Sequence, residues 1–230
     1  MIPRSPLPRA LLTLFVLITA AHLIVQLTGP ESWSRPTQAL LMPALAAFVL
    51  AAVKRPRGRF TGLVLIALFF SWLGDTAPAL ASGDAAFLVM VGFFLVAQVV
   101  YIVAFWPWRA KSPLYRNRTL LVPYGVVVAG LVVLCAPGAG ALLVPVLVYG
   151  LPLGAMAVLA VGVHRWTAIG GALFLLSDGL IALRAFTPDF DLPASGFWVM
   201  ATYTAAQAFI VLGCLARVPE ETPLTEGTPA

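Results

Sequence analysis

One feature constrains this chain more than any other: eight times along its length an uninterrupted, strongly apolar run of 17 to 21 residues appears, at 10–27, 37–53, 61–81, 85–105, 119–136, 141–161, 167–186 and 196–216. Crossing a hydrocarbon layer about 30 Å thick takes roughly 17–25 helical residues. Only a helix or a closed barrel satisfies its own backbone there. The runs therefore predict an all-α membrane protein, a bundle of eight transmembrane helices. With 61% of residues hydrophobic, 10% charged and a mean hydropathy of +0.98, nothing is left over for a soluble domain. The connections, such as KRPRGR, PGAG and TPDFDLP, are short. One transmembrane domain over 1–217 accounts for the chain, followed at 218–230 by VPEETPLTEGTPA, a polar stretch without periodicity that reads as a disordered cytoplasmic tail.

Basic residues set the orientation. Twelve of the 14 fall on one side of an eight-helix path: Arg4 and Arg9 before the first run; Lys54, Arg55, Arg57 and Arg59 between the second and third; Arg109, Lys111, Arg116 and Arg118 between the fourth and fifth; Arg165; and Arg217. Both termini are expected to be cytoplasmic, in a multi-pass protein of the cell membrane. The net charge of +5 then reflects topology and contact with anionic lipid heads, with no call for nucleic acid. A cleaved signal peptide is the competing reading of PRALLTLFVLITAAH, but that apolar run continues to Leu27 and makes a full span.

Against this background two acids stand out. Asp75 lies in IALFFSWLGDTAPAL and Asp178 in LFLLSDGLIALR. A charge at the bilayer centre costs about 2.5–3.5 kcal/mol on insertion scales, so an intramembrane acid is a functional-site hypothesis. Both helices start on the cytoplasmic side. Their acids come fourteen and eleven residues in, at about 1.5 Å per residue, hence at similar depth and somewhat past the midplane. His22, Gln26, Gln38, Ser71, Ser177, Tyr203 and Arg184 arrive at compatible depths and can line one cavity toward the outer half of the membrane. His22 reads equally well as an interhelical hydrogen-bonding residue. Tyr101, Trp106, Trp108 and Trp198 read as an interfacial aromatic belt, and Gly92, Gly170 and Gly171 as close helix contacts. The segments FSWLGDTAPAL and LFLLSDGLIAL, each followed by a helix containing Ala-Gln, hint at a duplication four helices apart, which would bring the two acids together across a pseudo-twofold.

Other chemistries lack their residues. The chain has no Gly-x-Ser-x-Gly elbow, no phosphate loop and only two histidines and two cysteines, so neither a metal centre nor a cofactor is expected.

Gly74-Asp75 in the third run, Gly92, Phe94, Ala97 and Tyr101 in the fourth, GALFLLSDGLIALRAF at 171–186 and YTAAQAFI at 203–210 together resemble the YhhN-like lysoplasmalogenase family. The resemblance covers essentially the whole membrane domain. It implies hydrolysis of the vinyl ether bond of a lysophospholipid, giving a fatty aldehyde and a glycerophospho-base. Carried over by position, the site residues it implies are Asp75, Asp178, Tyr203 and Gln207. The chain departs from the family at Gln98, where a histidine is usual, and at Gln38, where a lysine is common. A glutamine hydrogen-bonds but does not exchange a proton near neutral pH. The chemistry suits the residues: protonation of the alkene carbon and addition of water need an acid and a base, and two carboxyls in unequal surroundings can divide those roles. Which aspartate is the acid stays open. The alternatives are a small proton-coupled transporter, in which the same acids would carry a proton or cation, and a non-enzymatic lipid-binding membrane protein.

Overall fold

A computed structural model describes residues 5–218; the expected tail, from residue 219 on, lies outside them. The described residues form helices and no strand: α1 Pro6–Thr28, α2 Glu31–Ala52, α3 Arg59–Thr76, α4 Gly83–Phe105, the single turn α5 Pro113–Arg116, α6 Leu121–Ala139, α7 Leu143–Val163, α8 Arg165–Phe186 and α9 Ser195–Leu215. The protein is an all-α membrane protein.

Seven continuous helical stretches are long and apolar enough to cross a membrane, and one of them, Arg118–Val163, is 46 residues long. That stretch is a hairpin. A side-chain carbon added at Gly154 of α7 would lie 3.2 Å from Val128 of α6, although a straight helix would hold positions 26 apart about 39 Å from each other. The reversal falls at Gly140, whose φ of +50° and ψ of −124° place it in a region that residues with a side chain avoid.

Proline sets another boundary. The third apolar run was expected to stay helical to residue 81, but α3 stops at Thr76 and a tighter 3-10 turn covers Ala77–Leu80, because Pro78 lacks an amide and its ring crowds the preceding turn. Asp75 therefore sits in the last turn of α3, next to an irregular exit. Pro36 and Pro43 lie inside α2, which starts six residues before the apolar run does.

The core runs along α8, whose neighbours are α9, α7 and α6, while α3 packs along α4 and α1 along α2. Small residues permit the closest approaches. A side chain at Gly170 of α8 would collide with the Ala206 carbonyl and Ile210 of α9, each 2.7 Å away, and one at Gly171 would meet Ala160 of α7 at 2.9 Å. Gly92, expected to serve the same purpose, faces open space. The ends of the bundle are distinct in charge. Phe60 at the start of α3 stacks on Trp108 beyond α4, with centroids 4.6 Å apart, and Arg217 past α9 donates to the Val163 carbonyl at the end of α7. These contacts gather the basic connections at one end, whereas the described Glu31, Asp84, Asp189 and Asp191 lie at the other.

Candidate active site

Asp75 is held from both sides. Gln38, near the start of α2, donates its amide to Asp75 Oδ1 at 3.1 Å, and the Tyr203 hydroxyl of α9 donates to Oδ2 at 2.8 Å. One turn back, Trp72 donates its indole N–H to the Ala39 carbonyl at 3.0 Å, which fixes α3 against α2 and so fixes the Gln38–Asp75 register.

Asp178, 7% exposed, is held differently. The Tyr149 hydroxyl of α7 donates to its Oδ2 at 2.5 Å and the Gln98 amide of α4 to the same oxygen at 3.3 Å. Both donors converge on Oδ2, so among the described residues Oδ1 has no protein donor. Gln98 is itself fully buried, and its carbonyl oxygen Oε1 has no hydrogen-bond partner. A carboxylate oxygen without a donor and an unsatisfied buried acceptor thus belong to two side chains that are bonded to each other, an arrangement that native cores usually avoid.

The donors follow a pattern. Asp75 takes one from the long helix before its own and one from α9, the helix after Asp178's. Asp178 takes one from the long helix before its own and one from α4, the helix after Asp75's. This is the exchange that a pseudo-twofold relating α2–α4 to α7–α9 produces. Tyr203, a donor to Asp75, belongs to an aromatic trio in which Phe94 lies 5.6 Å from Tyr203 and 6.1 Å from Phe174, centroid to centroid, with Phe174 and Tyr203 5.9 Å apart.

Two hydrogen bonds to a charged acceptor, at about 1.5–3 kcal/mol each, offset an insertion cost of about 2.5–3.5 kcal/mol. The carboxylates are therefore tolerable where they are, and access decides what they can do. Asp178 borders two narrow apolar crevices, with about 40 and 50 Å³ of interior space. One lies between α4, α7 and α8, walled by Phe87, Met90, Val146 and Ile181; the other lies between α6, α7 and α8, walled by Leu131, Cys135 and Leu153. Tyr149 borders both.

The remaining candidates divide into two groups. Gln207 and Ser71 join the site from below: the Tyr101 hydroxyl donates to Gln207 Oε1 at 2.7 Å, and Gln207 passes its own amide to Ser71 Oγ at 2.9 Å. Tyr101 was expected in the interfacial belt, but it is fully buried in this network. His22 stands apart, bonded through Nδ1 to Thr37 Oγ1 at 2.8 Å and approached by Gln26 at 3.3 Å, in a polar cluster between α1 and α2. Ser177 donates to the Val199 carbonyl at 3.0 Å, joining α8 to α9 and not reaching either carboxylate. Tyr149 was missed altogether. Its only signal in the sequence was a hydroxyl in the middle of the apolar run 141–161.

The sequence profile of the YhhN family matches residues 33–214, which includes both aspartates and the four side chains that donate to them. The chain belongs to the YhhN family. Among characterised proteins, a lysoplasmalogenase of Mycobacterium tuberculosis is 32% identical over 201 residues, 83% of this chain and 76% of the relative. Human lysoplasmalogenase TMEM86B is 32% identical over 184 residues, 76% and 73% of the two chains, and its rat counterpart 30% over 202 residues, 86% and 82%. No solved structure matches this YhhN-family chain at a significant level.

Proposed function

We propose that this chain is a lysoplasmalogenase, cleaving the vinyl ether bond of a lysophospholipid from within the bilayer, with Asp178 at the reacting atoms and Asp75 as its partner. The observation that carries the reading is the free Oδ1 of Asp178 at the wall of an apolar crevice. A single alkenyl chain matches the apolar lining of that crevice. The names of the mycobacterial and mammalian relatives point the same way.

The steps balance without any further reactant. A protonated carboxyl gives its proton to the second alkenyl carbon, and the electron pair of the double bond forms that C–H bond. The positive charge left on the first carbon is shared with the ether oxygen as an oxocarbenium ion, which a nearby carboxylate stabilises. Water adds to that carbon and loses a proton to a carboxylate. The resulting hemiacetal collapses to a fatty aldehyde and the free hydroxyl of the glycerophospho-base. Tyr149 orients Asp178, and the unsatisfied Oε1 of Gln98 accepts a hydrogen bond from the water. Tyr203 and Gln38 hold Asp75 in place.

The chain crosses the cell membrane eight times with both termini cytoplasmic, so that the basic end of the bundle meets the anionic leaflet. Purified protein in vesicles should release aldehyde from a lysoplasmalogen and leave the saturated ether analogue intact. Proton-coupled uptake into sealed vesicles with no aldehyde formed would favour the carrier reading instead, for which the 3-10 turn directly after Asp75 is the structural motive.

A further inference from the structure

A crevice with about 340 Å³ of interior space opens between the start of α3 and the end of α4, lined by Arg59, Phe60 and Leu63 on one side and Ile102, Val103 and Trp106 on the other. It is not part of the site described above. Arg59 and Asp75 are sixteen residues apart on one helix, about 24 Å along its axis. Trp108, from the segment after α4, packs its ring at a tilt against Phe60 there. The walls are apolar, with Val103 41% and Trp106 46% exposed.

The mouth has the opposite character. Arg59 is exposed and, among the described residues, its side chain has no hydrogen-bond or ion-pair partner, and Arg109 lies 5.0 Å over the ring of Trp106. Lys54, Arg55, Arg57, Lys111, Arg116 and Arg118 lie on connections at the same end of the bundle, and among the described residues no acid lies there. An apolar slot at the membrane boundary, closed at its rim by an unpaired guanidinium and an indole, has the chemistry of a phospholipid: a chain for the slot and a phosphate for the cation. The excess of positive charge selects an anionic head group over a zwitterionic one.

We propose that the α3–α4 crevice is a binding site for an anionic phospholipid of the inner leaflet, with one acyl chain along Leu63, Ile102 and Val103 and its phosphate on Arg59. The site is structural or regulatory and separate from the hydrolytic one. It would steady the α3 helix that carries Asp75 at its far end.

The test is native mass spectrometry of the full chain in detergent, titrated with palmitoyl-oleoyl phosphatidylglycerol or with the matching phosphatidylcholine. The wild type should retain phosphatidylglycerol in preference, and Arg59→Gln should weaken that retention about fivefold, the usual worth of one basic residue at an anionic surface. Val103→Trp, which fills the slot and leaves every charge in place, should weaken it as well. Arg118→Gln, at the same end but outside the crevice, should not. Equal retention of both lipids by the wild type, undiminished retention by Arg59→Gln or Val103→Trp, the same loss from Arg118→Gln, or a dimer in place of bound lipid would each overturn the proposal.

Discussion

Replacing Tyr149 with phenylalanine tests the site most directly, because it removes one oxygen and leaves the ring that borders both crevices. In the native arrangement the Tyr149 hydroxyl gives the shorter of two hydrogen bonds to Asp178 Oδ2, 2.5 Å against 3.3 Å from Gln98. Without it the carboxylate keeps a single weak donor and turns more freely between rotamers. A hydrogen bond to a charged group contributes about 1.5–3 kcal/mol. If Asp178 must hold one orientation in the transition state, that loss corresponds to a fall in kcat of about ten- to a hundredfold. KM should change little, since the apolar walls that would hold the chain are untouched. The assay is aldehyde release from a lysoplasmalogen in vesicles, coupled to an aldehyde dehydrogenase, with Tm measured in parallel. A Tyr149→Phe protein that folds and turns over at the native rate would refute the claim that Tyr149 positions the reacting carboxyl. A rise in KM at constant kcat would instead make the residue part of the chain-binding wall.

Asp75→Asn and Asp178→Asn should each remove most activity, and the double variant should be little worse than either single one, since groups acting as a unit are non-additive; an active Asp178→Asn protein would end the acid-base assignment. Gln98→Ala and Tyr203→Phe should fold and keep measurable turnover, because amides and phenols orient partners better than they shuttle protons near neutral pH; complete loss in a folded Gln98→Ala protein would mean that its role is larger than holding water. Reporter fusions after residue 112 and after residue 217 should both report the cytoplasm, and an extracellular signal from the first would invert the topology. Filling the α4–α8 crevice by Ile181→Trp should raise KM for long alkenyl chains more than for short ones, and equal effects on both would show that the chain lies elsewhere.

What the sequence determined by itself follows from scarcity. Within a hydrocarbon layer every backbone group must be satisfied inside its own helix, so long apolar runs admit one local structure and the all-α membrane fold was legible from composition and run length. Asp75 and Asp178 were legible for the same reason: a charge has few cheap places there, and its presence in an apolar run is conspicuous. Gln38, Gln98, Tyr203 and Gln207 were found through depth or family resemblance, yet nothing in one dimension says that Gln38 and Tyr203 serve Asp75 while Gln98 serves Asp178. Tyr149 and Tyr101 were invisible as site residues because a tyrosine is at home in an apolar helix or at a membrane boundary, and only the packing of α7 on α8 and of α4 against α9 turns their hydroxyls toward polar partners. His22 and Ser177 show the reverse. Their depth fitted the site, but rotation about the helix axis is set by which small residues let neighbouring helices close in, and that rotation gives His22 to the α1–α2 cluster and Ser177 to a backbone carbonyl. Depth is a property of position in the chain, whereas direction around the helix acquires meaning only when the neighbours are in place.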